Sequence, residues 1–470
     1  MILRTTLATF SLCSLYSLCA TLGAGCYAPP PNSSVACEEG SLCDNGQLCT
    51  NGACDTQLPD APLPVDACAT ATCAGDQLVG CGQPEVCALG CTVDVNGSSA
   101  HCLELKPSNG FNDWAITVGT SSLTVNSQLV ADTETGEISQ GMGSGRIVVR
   151  SAGVGLRDGI YFATLSGAPS VFAMHDLTIV NGGALRVIGA PAAVLLVDGN
   201  AVIAGRLDAS AGLDPLRPVG PGGGSGGATI AAAGGGCGGG IFGTSSGTSD
   251  GGGGGGGMRD AGGGGGGSNA MPQLGGAAGA SCSITDLQPL RGGSGGGTGG
   301  AGLAMVSFGW GGHGGGALQL SARNQVVLEN SGVIVASGGG GGGGQFINAS
   351  GGGGGGGGAG GGILIEAQVV VVIGAMFANG GGGGGGADIS TAGGNGAFGQ
   401  ESMQPAQGGS SGGGARGGDG GTNIQARDGR VGNNGGGGGG SAGVIVVRSR
   451  DAMLAGPASP MVRRLPMLTQ

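Results

Sequence analysis

Between residues 111 and 212 short aliphatic runs alternate with turn residues. "WAITV", "SLTV", "GRIVVRS", "DLTIV", "ALRVI", "AVLLV" and "AVIAGRLDAS" are β-branched runs bounded by Gly, Asn or Asp. No stretch repeats apolar residues at helical spacing, so the pattern predicts strands and essentially no helix. A longer unit recurs in "AAVLLVDGNAVIAGRLDASAG" from Ala192, "GALQLSARNQVVLENSGVIVASGG" from Gly316 and "GILIEAQVVVVIGAMFANGG" from Gly362, with a degenerate copy, "GVIVVRSRDAMLAG", from Gly443. Each full copy holds three aliphatic runs separated by turn residues, then small residues and glycine. Three strands, each turning a corner, make one coil of a parallel β-helix. The expected class is therefore all-β: a right-handed parallel β-helix (solenoid) whose inward aliphatic side chains fill a narrow cylinder.

Glycine changes this picture. The chain has 120 glycines, many in pure blocks at 251–257, 262–267, 351–358 and 380–386. The blocks separate the repeat copies unevenly, which makes them insertions leaving the coils near one corner. A floppy linker is one reading, but flexible linkers usually mix Gly with polar residues. The other is a bundle of extended left-handed helices of the polyproline II type, here polyglycine II, pairing their amides with one another because no side chain keeps them apart. Cys237 and Cys282 would staple the longest insertion.

Charged residues make up 10% of the chain, well below the globular norm of roughly a quarter. The net charge of −11 and a single lysine, Lys106, exclude a phosphate-binding surface, so no nucleic acid partner is expected. Residues 1–25 have the layout of a secretory signal peptide. "LGAGC" then ends at Cys26, like a bacterial lipoprotein signal, whose cysteine is lipidated. Gly23 departs from that pattern, and plain cleavage is the alternative. A tether follows at 26–36, then a cysteine-rich module at 37–54 (Cys37, Cys43, Cys49, Cys54), a Pro-rich linker at 55–67 and a second module at 68–106 (Cys68, Cys73, Cys81, Cys87, Cys91, Cys102). The β-helix-like region occupies 107–214, the glycine-rich region with further coils 215–450, and a tail 451–470. With Cys237 and Cys282, each cysteine group is even, which predicts disulfides and an oxidising compartment. Zinc is the competing reading, but there is no CxxC pair and His101 is the one histidine nearby.

The start "GCYAPP", the cluster "CEEGSLCDNGQLCTNGAC" and the segments "NGGALRVIGAPAAVLLVDGNAVIAGRLDASAG", "PLRGGSGGGTGG", "GGGALQLSA" and "GGGILIEAQVVVVIGAMFANGGGGGGG" resemble predicted extracytoplasmic lipoproteins of myxobacteria and their relatives. The resemblance implies a lipid-anchored surface protein, β-helix-like, with no activity to carry over. The glycine blocks are also similar to mycobacterial glycine-rich surface proteins, without those proteins' N-terminal domain or triplet repeat.

Chemical motifs are sparse. GxGxxG matches are meaningless inside glycine blocks, and no helix follows to build a dinucleotide site. Asp419 and Asp428 only gesture at a calcium repeat. A β-helix raises the possibility of a polysaccharide lyase or hydrolase, which needs clustered carboxylates. The candidates are Asp176, Asp198, Asp208 and Asp214 with Arg186 and Arg206, and His175 beside Asp176. Trp310 and His313 in "FGWGGHGGG" are the candidate ligand contact, by stacking on a sugar ring; capping the β-helix or packing against glycine backbone is the other, favoured reading. The expected function is a non-enzymatic structural, adhesive or surface-interaction role at the outer membrane or cell surface, with no cofactor or metal. Surface polysaccharide or another surface protein is the partner, and a polysaccharide-binding or carbohydrate-active protein is the alternative.

Overall fold

A computed structural model describes residues 71–469 except 81–83, 88, 94–99, 110–118, 142–144, 165–166, 213–218, 303–306 and 348–349, together with the backbone of 49–50 and 53–54. The signal peptide, Cys26, the tether, the Pro-rich linker, Cys37, Cys43, Cys68, Cys81, "WAITV" and Asp214 lie outside the described residues, as do the side chains of Cys49 and Cys54. The protein is nearly all-β. Among the described residues helix is limited to 3-10 positions at Gly145 and Pro272–Leu274. The second cysteine-rich module is a set of small antiparallel pairs crosslinked by Cys73–Cys91 and Cys87–Cys102.

Two large curled sheets, of eight and twelve strands, dominate the rest. Their parallel strands form three stacks. The first contains Ser170–Met174, Ala193–Val197, Ala317–Ala322 and the leading halves of Gly362–Val372 and Val444–Leu454. The second contains Leu123–Val125, Leu177–Ile179, Asn200–Ile203, Gln325–Leu328 and the trailing halves of the same two long strands. The third contains Gln128–Asp132, Ala184–Ile188, Arg206–Asp208, Val333–Val335, Ala375–Phe377 and Ala458–Ser459. The chain visits the stacks in that order, so each sequence repeat supplies one strand to each. "SVFAMHDLTIVNGGALRVI" is a further such unit, recognisable in the sequence only as separate runs.

In-register aliphatic ladders hold the stacks together. Phe172, Leu195, Leu320, Ile365 and Val447 superpose in the first, and Leu129, Leu185, Leu207, Ile334, Met376 and Ala458 in the third. Nearly all are fully buried in one core, each contributing about 1.5–3 kcal/mol. The first stack is buried on both faces, because Leu105, Met258, Leu287 and Leu290 cover its outer side. That explains its continuous apolar runs where the second stack alternates buried and part-exposed residues. Antiparallel strands close the N-terminal end, with Arg150 buried among them. Its guanidinium donates to the carbonyls of Ile160, Gly136, Ser151, Gly153 and Gly155 and lies 5.3 Å from the Phe162 ring centroid.

All three long insertions, 209–316, 336–361 and 378–443, leave the third stack and return to the start of the first. Their hydrogen bonds repeat every three residues. The amides of Gly352, Gly355, Gly358 and Gly361 donate to the carbonyls of Gln345, Gly342, Gly339 and Ala336. Those of Gly353, Gly356 and Ala359 donate to Gly300, Gly297 and Ser294, and those of Gly354, Gly357 and Gly360 to Gly435, Gly438 and Ser441. The carbonyls of the same segment accept from 309–315, 253–256 and 381–387. A strand repeats every two residues and an α-helix every 3.6; neither sends successive amides to three different neighbours. The insertions thus form a layered slab of three-residue-period segments. None of the glycines in 351–358 has a left-handed φ. What they supply is room: a Cβ on Gly356 would lie 2.0 Å from the carbonyl oxygen of Gly254. Cys237 and Cys282 are joined within the slab.

Candidate functional site

Three segments, 307–316, 336–345 and 391–400, lie side by side on the outside of the slab. Gly342 and Gly339 donate to the carbonyls of Trp310 and His313 at 2.7 and 2.8 Å, and Gly396 and Gly393 donate to Gly341 and Gly344 at 2.8 and 2.9 Å. The three-residue period places Trp310 and His313 on one wall and Asn395 and Phe398 on the other, with Gly340–Gly342 as the floor of a groove of about 100 Å³. Trp310 is 39% exposed. The edge of its ring lies 3.3 Å from where a Cβ on Gly342 would stand, so the indole rests on glycine backbone. The Nδ1 atom of His313 accepts from the Gly226 amide at 2.8 Å, which leaves Nε2 to carry the proton of the neutral ring. The Asn395 Oδ1 accepts from the Gly343 amide at 2.9 Å. The N–H groups of Trp310 and Gly340 have no hydrogen-bond partner among the described residues.

The other sequence-predicted residues fall elsewhere. At the corner between the first and second stacks, the His175 ring stands 3.7 Å from Asp176 and 3.8 Å from Asp198. Arg323 bridges Asp198 at 2.8 Å and Glu104 at 2.9 Å. Three carboxylates and an arginine do converge here, but Asp176 is spent on Ser122 and the Asn200 amide. Asp208 pairs with Arg206 at 3.3 Å, and Arg206 reaches Glu401 at 2.6 Å. Arg186 is the register partner of Asp208 on the neighbouring strand. Asp419 binds Arg416 and Arg427, while Asp428 accepts from the Gly264 amide. Both aspartates therefore serve the slab, and no trio of metal-ligating side chains is present among the described residues.

Two sites were not singled out in the sequence. At the slab's tips Thr248, Ser249, Asn269, Asp388, Ser390 and Asn433 line a cavity of about 600 Å³. Hydrogen bonds from the Ser390 amide and hydroxyl hold the Asp388 carboxyl below its ordinary range. On the outer side of the first stack, Glu366 is fully buried. It accepts from Gln319 at 2.9 Å, Ser321 at 2.8 Å, the Ser108 amide at 3.1 Å and the Ser108 hydroxyl, and Arg448 lies 3.9 Å away. Burial pushes its carboxyl up, against the hydrogen bonds and the arginine charge, which pull it down. The available signal was an acid inside the apolar run "GILIEAQVVVV". Comparison with protein-family models, with curated proteins and with solved structures finds no match to this chain.

Proposed function

We infer that this chain is a non-enzymatic extracytoplasmic lipoprotein, lipid-anchored through Cys26, that serves as an adhesive or structural scaffold at the cell surface. On this reading the three stacks are the faces of a right-handed parallel β-helix, and the insertions are a polyglycine II bundle extruded from one corner of it. The observation that carries the reading is the slab. Segments far apart in sequence are hydrogen-bonded into one layered body whose outer row presents aromatic side chains over a glycine floor. Such a body provides a broad rigid contact face at little side-chain entropy cost on binding. The layout of residues 1–26 and the resemblance to myxobacterial lipoproteins support the anchor.

A second reading, polysaccharide binding, is favoured by the tip cavity, whose amide, hydroxyl and carboxylate lining suits sugar hydroxyls. One experiment separates these readings. Purified mature protein is mixed with cell-envelope fragments and with surface polysaccharides, and co-sedimentation and new chain ends are measured. Binding to envelopes without chain cleavage supports the scaffold. Absence of envelope binding by folded protein, or cleavage of a polysaccharide, sinks it.

A further inference from the structure

We propose that a cavity at the C-terminal end of the first stack binds a medium-chain carboxylic acid, its charge held at a rim of two arginines and its aliphatic chain on an apolar floor. A short strand, Arg463–Leu465, adds a last rung to that stack by pairing parallel with 446–448. The cavity, of about 360 Å³, lies where this rung meets the slab. Three parts of the chain line it: Arg259 from the slab, the turn 281–285, and residues 444–445 with 460–463. Arg463 is the register partner of Val446, and Val446 of Leu364. Those two belong to the core on the outer face of the stack, and register partners share a face, so Arg463 stands on that outer face. From the slab side comes Arg259, fixed by Asp260 at 2.8 Å and by the Thr422 carbonyl at 3.1 Å. The Ser281 hydroxyl donates to the Arg259 carbonyl at 2.9 Å, and Cys282 is tied to Cys237. The turn is thus set in place before a ligand arrives, which lowers the ordering cost of binding.

The lining is graded from polar to apolar. Ser281, Ser283, Thr285 and Arg463 are exposed at the rim. Val444, Ile445 and Pro460 are buried beneath, and Ile284 packs on the same outer-face core as Val444. A mostly apolar pocket with a few convergent polar groups takes a ligand of the same make-up, and the polar groups fix its orientation. The sign of the head group follows from the charges. The described lining holds two arginines and no carboxylate; Asp260 offsets one guanidinium, and a monoanion matches the other. The planar fork of arginine fits a carboxylate through two parallel hydrogen bonds. A sugar acid would satisfy the rim but press its hydroxyls against the side chains of Val444, Ile445 and Pro460, where burial without a partner is costly. An aliphatic chain gains from the same surface.

This binding activity goes beyond the scaffold role and does not depend on it. The test is calorimetric titration of the mature chain with octanoate and, separately, with octanamide, acetate and glucuronate. Arg463→Gln is run alongside, with hydrogen exchange of 352–361 as the check on the fold. The expected result is saturable octanoate binding, at least tenfold tighter than that of octanamide, which lacks the charge, or of acetate, which lacks the chain. Arg463→Gln should weaken octanoate at least tenfold while exchange is unchanged. A folded protein that takes no octanoate overturns the proposal. So does octanamide or acetate bound as tightly as octanoate, a comparison that needs no variant. Octanoate binding indifferent to Arg463→Gln, or glucuronate bound in preference to octanoate, overturns it equally. Envelope binding that persists without octanoate binding would sink this inference alone and leave the scaffold reading standing.

Discussion

Replacing Gly356 by alanine tests whether the glycine blocks form a packed body. The added Cβ would lie 2.0 Å from the Gly254 oxygen and 2.4 Å from its carbonyl carbon. Reaching an ordinary carbon–oxygen contact of about 3.4 Å requires the two segments to part by roughly 1.4 Å. The bonds from Gly253 to Gly354 and from Gly256 to Gly357, both 2.9 Å, cross the same seam and would be lost or badly stretched. Overpacking costs about 1–3 kcal/mol, and one buried amide left unsatisfied costs about 1–3 more. Alanine's stiffer unfolded chain returns about 0.4–1 kcal/mol. The net expectation is a loss of about 3 kcal/mol, which speeds exchange of the 352–361 amides on the order of 100-fold. Gly264→Ala is the matched control, since its Cβ would meet nothing closer than Asp428 Oδ1 at 3.6 Å. It should change stability by under about 1 kcal/mol, in the stabilising direction. The discriminating quantity is the sign. A loose linker would gain slightly from alanine at either position, so unchanged or slower exchange in Gly356→Ala refutes the packed slab.

Three further outcomes are expected. Arg150→Lys replaces a planar fork serving five carbonyls with three donors, and should lower stability by about 2–4 kcal/mol in a denaturant melt. Burial lowers the arginine's pKa to about 10, so it stays charged at neutral pH and the loss should persist across pH 5–8. Because burial raises the Glu366 carboxyl above its ordinary 4.5, the folded state holds a proton there that the unfolded chain has released. Stability should therefore fall as pH climbs from 4.5 through the raised value, and Glu366→Gln should flatten that slope in melts compared at several pH values; a slope unchanged by the substitution contradicts the assignment. Paired substitution of Cys237 and Cys282 by serine opens a link spanning 45 residues. Up to about 4 kcal/mol should be lost in the chain-entropy model, read as faster exchange confined to the slab.

How much of this the sequence disclosed follows from which interactions leave a side-chain trace. The repeated strands were legible because inward positions such as Leu195, Leu320 and Ile365 must be aliphatic in register, and a period of two survives in any alignment of the copies. Both-face burial of the first stack leaves a trace in unbroken runs such as "GILIEAQVVVV", but the sequence pattern alone predicts only inward-facing aliphatic positions. The slab's pairing was not legible, because the partners of Gly352–Gly361 come from six other segments of the chain and glycine carries no side chain to mark them. The outer rows do leave a trace. Gln404, Gln407 and Ser410 are exposed while Ala406, Gly409, Gly412 and Ala415 are buried, the three-residue counterpart of amphipathic alternation. Trp310 and His313 keep the same interval, so the groove belongs to a surface row of the slab and follows from its geometry. Glu366 escaped notice for the opposite reason. A buried acid among β-branched residues has no periodic signature of its own, and its partners Ser108, Gln319 and Arg448 meet only once the first stack and its covering segment are assembled. The groove and the buried network are therefore both products of long-range assembly, and a substitution that loosens the slab should alter the groove at Trp310 and, through the Gln288 contact to Ser108 in the same insertion, the cluster around Glu366 as well.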